Sequence, residues 1–148
     1  MKRTALNMML TLVCTAILAA IAVANIGPNL MTAKIPFDFY LGSQALPAGT
    51  YTVSRGGSPS IVIFRNEKTA QSVGVVTNQS GHGNTMNKQA QLSFHRYGDQ
   101  YFLSVIKQAF SSNCFMAAKS KRENAIAQGA KNLARNQAAP EIVTIAAE

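Results

Sequence analysis

Residues 34–55 read KIPFDFYLGSQALPAGTYTVSR. The first part alternates, with Ile35, Phe37, Phe39 and Leu41 on one side of an extended chain and Pro36, Asp38 and Tyr40 on the other. Successive side chains of a strand point to opposite faces, so this is the pattern of a half-buried strand. Pro36 has no amide hydrogen to give a ladder, which places it at a strand start or on an edge. Gly42-Ser43 offers a tight reversal into a short return over Gln44 to Leu46. Leu46-Pro47-Ala48-Gly49 is a second turn, with proline's fixed φ at its second position and glycine at its fourth, as a type I turn prefers. Tyr51 and Val53 then share one face of a strand running to Arg55, and Thr52 and Ser54 share the other. Within the stretch only Asp38 has no structural reason evident from the pattern.

Downstream, Gly56-Gly57-Ser58-Pro59 breaks the chain, and Ile61 to Phe64 is an apolar run of strand length, read as buried on both faces. Asn66-Glu67-Lys68 turns it back into a valine-rich strand, Ser72 to Thr77. Residues 78–88 (NQSGHGNTMNK) read as a long glycine and asparagine loop, a kind of segment that in compact domains is functional or disordered. Ala90 to Tyr97 and Gln100 to Lys107 form a hairpin closed by Gly98-Asp99. With Tyr97 opposite Gln100, Phe94 faces Leu103 and Leu92 faces Val105, giving one apolar face. Phe110 to Lys119 fits no single period. Ser120-Lys121-Arg122-Glu123 is a capping box that opens a helix over about residues 120–135, with a thin, alanine-rich apolar side. Ile142 to Ile145 adds a last short strand. The expected fold is mainly β: a small antiparallel sandwich or barrel with one C-terminal helix.

At the other end, Lys2 and Arg3 precede an apolar run from Leu6 to Val23 that closes on Ala22-Val23-Ala24. A basic start, an apolar segment and a small-x-small site make a secretory signal peptide, a helix cut after Ala24. The rival is an uncleaved anchor, because the run is near the ~20 residues that span a bilayer. Cys14 sits mid-run without the small-residue motif that lipid attachment needs. The expected organisation is therefore a signal peptide over 1–24, a loose leader over 25–33 and one domain over 34–148, exported to the periplasm or beyond. The 148 residues carry 14 basic and 6 acidic side chains; without Lys2 and Arg3 the balance is 12 against 6, a net charge of +6. Such a balance attracts anionic surfaces and says nothing about fold. Cys114 is then the sole cysteine, so no disulfide can form within the domain.

The segment Ile35 to Val53 resembles a group of small secreted bacterial proteins, common in acidobacterial genomes, with the pattern PFDF-x-x-G-x-x-x-LPAG-x-Y-x-V. Phe37, Asp38, Phe39, Pro47, Gly49 and Tyr51 carry the match. RYGDQYFL (96–103) and SKRE (120–123) extend the likeness over most of the chain. The resemblance implies export and a shared fold but no activity. The shorter PAG-x-Y piece also resembles turns in carboxypeptidase-regulatory-like and collagen-adhesin B-type sandwich domains, where the same turn physics recurs.

Chemistry-bearing residues are sparse. His82 and His95 stand alone, with no metal-ligand spacing, so no metal or cofactor is expected. His82 lies in a glycine loop, and His95 points to the hairpin face opposite Phe94. Glu67 and Asp99 are turn residues, Glu123 is a helix cap, and Glu141 and Glu148 lie in the tail, leaving Asp38 as the carboxylate to weigh. No Gly-x-Ser-x-Gly elbow occurs. Ser104 and Lys107 match Ser-x-x-Lys, but residues three apart on a regular strand face opposite ways. Lys119, Lys121, Arg122, Lys131 and Arg135 concentrate positive charge near the helix. A nucleic-acid partner is not expected, since no recognition module is present. Three readings follow. The first is an exported, non-enzymatic envelope or extracellular protein with a binding or structural role. The second is a carbohydrate-active or other hydrolase using Asp38 and the 78–88 loop. The third is a binder of anionic envelope polymers or lipid headgroups through the basic helix.

Overall fold

The computed structural model describes residues 27–81, 88–133 and 140–148, so the segment read as a signal peptide lies outside the described residues. The strands are β1 (Asn29–Ile35), β2 (Phe39–Leu41), β3 (Gln44–Leu46), β4 (Gly49–Arg55), β5 (Ile61–Asn66), β6 (Ser72–Gly81), β7 (Ala90–Tyr97), β8 (Gln100–Lys107), β9 (Asn113–Ala117) and β10 (Glu141–Ala147). Among the described residues one helix, α1 (Lys121–Leu133), lies between β9 and β10. The protein is mainly β, as the alternating pattern implies.

All ten strands belong to one sheet, β1-β4-β5-β6-β9-β8-β7-β10, with β2 and β3 branching from β8. Pairing is antiparallel throughout except where Tyr40 of β2 meets Phe102 of β8 in parallel. The sheet is not closed into a barrel. Its two ends come together only at the chain terminus, where Thr32 and Glu148 exchange backbone hydrogen bonds. A strand has two edges, and β7 occupies one edge of β8 along its whole length. The opposite edge is therefore shared, with β2 at Phe102 and β9 over Val105–Lys107. The sheet forks at that point.

Side chains from all ten strands enter a single core. Phe39 lies at its centre, 1% exposed, with its ring centroid 5.3 Å from Tyr51, 5.5 Å from Phe94 and 6.2 Å from Phe64. Such edge and tilted contacts suit the ring quadrupole. Phe37, half-buried at the rim, stacks on Tyr101 at 3.8 Å and meets Phe94 edge-on. The two-residue turns Gly42-Ser43 and Gly98-Asp99 each take positive φ only at glycine, the pattern of a II′ hairpin.

The motif residues make turn and core contacts. Asp38 Oδ1 accepts a hydrogen bond from the Ala48 amide at 2.8 Å, and the buried Tyr51 hydroxyl donates to the Pro47 carbonyl at 2.6 Å. These two bonds lock the PAG turn from both sides. Gly49 is also constrained, because a Cβ there would lie 3.3 Å from the Asn66 amide nitrogen. Asp38→Ala is expected to lower stability by about 1 kcal/mol, the net worth of a hydrogen bond at an exposed turn. A urea midpoint unchanged from the parent would remove this role.

Several expectations need correction. Residues 29–33 are not a loose leader: they open β1, whose Met31, Ala33 and Ile35 alternate into the core. Ile35 to Leu41 keeps its alternation of burial but is not one strand, since the ladder breaks over 36–38. Ile61 and Ile63 are only half-buried, so that run has one core face, formed by Val62 and Phe64. Residues 78–81 are not loop but the second half of β6, paired with β9, and residues 82–87 lie outside the described residues. The stretch without a clear period, 110–119, contains β9. Cys114 on that strand is a free, half-buried thiol.

The hairpin begins in the expected register, with Tyr97 opposite Gln100 and Phe94 opposite Leu103. Between Phe94 and Ser93 the register shifts, so Leu92 faces Ile106 rather than Val105. The unpaired extra residue is Ser104. A bulge of this kind re-aims a side chain.

Candidate functional site

Two features meet at the start of α1, one on each side of its first turn. The helix begins as its capping residue requires: Ser120 Oγ accepts the Glu123 amide at 3.1 Å, and the Ser120 carbonyl accepts the Asn124 amide. The Glu123 carboxylate is turned down onto the sheet, where it is 3% exposed. Its Oε1 lies 2.7 Å from His95 Nδ1 and 3.5 Å from the Tyr97 hydroxyl. On the other side of the imidazole, His95 Nε2 lies 3.0 Å from Ser104 Oγ. As a carboxylate Glu123 can only accept, so Nδ1 carries the proton; in the neutral ring Nε2 then accepts from the Ser104 hydroxyl. Burial, followed by the Glu123 charge and its hydrogen bond, pushes the Tyr97 phenol above its ordinary value.

The expected hairpin register already sets Ser104 opposite Ser93, on the outer face and diagonal to His95; the bulge leaves Ser104 there and adds Val105 to that face. What the sequence did not show is the helix docked on this pair. The Glu123 carboxylate, expected to complete the capping box, is instead committed to His95 and Tyr97, and with the Arg122 contacts to Tyr40 and Gln100 it ties α1 to the sheet. The bulge also overturns the parity argument for Ser104 and Lys107. Lys107 pairs Gln91 and Val105 pairs Ser93, so Lys107 shares the outer face with His95 and its partner Ser104.

The second feature is a groove of about 510 Å³ at the fork in the sheet. Its walls are the β2–β3 turn, the first half of β6 and residues 118–122, the link from β9 into α1. Lys119, Lys121 and Arg122 line it, and no acidic residue does. The Arg122 guanidinium lies 4.5 Å from the Tyr40 ring centroid and donates to Gln100 Oε1 at 3.1 Å, so its plane is fixed. Tyr40 in turn stacks on Phe102. Of the basic residues anticipated near the helix, the structure thus brings Lys119, Lys121 and Arg122 together. The Lys131 side chain and all of Arg135 lie outside the described residues. Among the described residues, no three His, Cys, Asp or Glu side chains converge as a metal-binding group.

No family model matches the chain, and no curated protein or solved structure is significantly similar to it.

Proposed function

We propose that the protein is an exported β-domain that binds anionic envelope polymers or lipid headgroups through the groove at the start of α1. The observation that supports this is the placement of positive charge. Unsatisfied amides make the N-terminal end of a helix the positive pole of its dipole, where acidic residues are favoured and basic ones disfavoured by about 0.3–1 kcal/mol each. Here Lys121 and Arg122 occupy the first two helical positions, Lys119 precedes the cap, and all three border the groove. The acid that would relieve them, Glu123, is directed away to His95. Tyr40 and Gln100 offset Arg122 in part, whereas no acidic side chain lines the groove beside Lys119 and Lys121, and local rules are broken in this way at functional sites. Phosphate or carboxylate groups of a polyanion would relieve this unfavourable charge, with Arg122 held over the Tyr40 ring beside the two lysines. Export supplies the setting, since envelope polymers and lipid headgroups are the abundant anions there.

Lys119→Gln/Lys121→Gln is expected to weaken binding to heparin and to phosphatidylglycerol vesicles at least tenfold. Melting temperature should hold or rise, because two unfavourable charges leave the helix start. Binding should also fade as salt shortens the Debye length from ~10 Å. Loss of heparin binding alone identifies the polymer arm, and loss of vesicle binding alone the headgroup arm. Binding by the double variant equal to the parent's on both probes overturns the reading.

A further inference from the structure

The groove leaves the Ser104–His95–Glu123 chain unexplained, and its geometry is that of an activated nucleophile. Such a site requires a hydroxyl within hydrogen-bond reach of a base, and that base oriented by a third group. Both distances are met here, at 3.0 Å and 2.7 Å. The tautomer is also the productive one, with Nδ1–H fixed on a buried carboxylate and Nε2 left to take a proton from serine. We propose that Ser104, His95 and Glu123 form the catalytic triad of an esterase acting on apolar acyl esters.

Two further observations support the assignment. Ser104 is the bulged residue of β8, without a ladder partner on β7, and is only half-buried on the outer face beside His95. Bulges are over-represented next to active sites. The surroundings also suit an acyl chain. Residues opposed in a ladder share a face, and Met116, Val105, Ser93 and Thr144 form one row across β9, β8, β7 and β10. The next row places Ile142 beside His95 and Phe102. Met116 is 48% exposed and Ile142 67%, so Ser104 lies between two accessible apolar side chains. The helix start covers the Tyr97 end of this face, through Glu123 and Arg122.

In the reaction, Ser104 Oγ bonds to the ester carbonyl carbon as its proton passes to His95 Nε2. Glu123 stabilises the imidazolium through Nδ1–H. The tetrahedral adduct collapses, the C–O bond to the alcohol breaks, and the alcohol leaves with the proton from Nε2. Water then repeats the sequence on the acyl-serine, with His95 taking its proton, and releases a carboxylic acid and the free hydroxyl.

The test is to treat the full-length protein with a fluorophosphonate probe, map the adduct by mass spectrometry, and follow hydrolysis of p-nitrophenyl butyrate. A single adduct on Ser104 is expected. His95→Ala should slow labelling and hydrolysis by roughly 10²–10⁴-fold, the usual contribution of a general base. Ser104→Ala should abolish both. Glu123→Gln keeps a hydrogen-bonding group under the helix, so it should preserve the fold while lowering hydrolysis and changing its pH profile. The probe reaction on the parent protein needs no variant to fold. An unmodified Ser104 in protein with a native circular dichroism spectrum overturns the proposal, and so does hydrolysis that survives Ser104→Ala.

Discussion

Phe39→Ala is expected to destabilise the fold by about 3–5 kcal/mol, the range for removing a large aromatic ring from a packed core. Small domains are held by only ~5–15 kcal/mol in total, so the urea midpoint should fall by a large fraction of its value with an unchanged slope. The size of the effect follows from position. β2 has three residues, and its ladder with β8 is the single parallel pair at Tyr40. Too few backbone hydrogen bonds are available to hold it there. Phe39 does so instead, packing against rings from β4, β5 and β7. Because β2 and β3 form one wall of the basic groove, binding to polyanions should weaken together with stability. The control is Phe110→Ala: that ring is 79% exposed, and its loss should change stability by less than about 0.5 kcal/mol. Equal midpoints for the two variants would show that Phe39 does not anchor β2.

This anchoring also shows how far the sequence could be read. The faces of Phe37, Phe39 and Leu41 were legible because burial follows the period of two even where the ladder is interrupted. The break at 36–38 was not, since Pro36 marks a strand boundary without saying on which side the strand lies. β1 carried the same alternation in Met31, Ala33 and Ile35, but Gly27-Pro28 and the nearby cleavage motif drew the reading toward a leader. The basic groove was half legible. Lys119, Lys121 and Arg122 are adjacent in the chain, so their clustering is a local property. The wall from β6 depends on the fork in β8, a long-range pairing that no local pattern encodes. In the Ser104–His95–Glu123 chain the first pair follows from the hairpin register, but Glu123 joins it only through a docked helix, which leaves no mark in hydrophobic periodicity. Asp38 ran the other way: the pattern offered it no structural contact, and the fold gives it one, a hydrogen bond from the Ala48 amide.

Glu123→Ala should release α1 from the sheet while leaving the strands intact. An isolated helix of 13 residues is marginal in water, so α1 depends on what it is docked to. Its apolar contribution is slight. Of residues 121–130, Glu123 alone is buried, and Ile126 is only half-buried. The carboxylate accepts from His95 and Tyr97 of β7, and hydrogen bonds to a charged group contribute about 1.5–3 kcal/mol. Converted at 1.4 kcal/mol per factor of ten, amide exchange across residues 121–133 should accelerate roughly 10- to 150-fold. Exchange in β4, β5 and β8 should hardly change, because the core lies on the other face of the sheet. Local opening of this kind leaves the global transition in place. A second readout comes from Tyr97. Part of the upward push on its phenol is the Glu123 charge, so its ionisation in the variant should move back toward the ordinary tyrosine value. Both readouts should change together, and together they separate docking from core packing. Uniform acceleration in helix and strands would instead mean that the carboxylate supports the whole fold, and a helix as protected as the parent's would mean that α1 is held by something else.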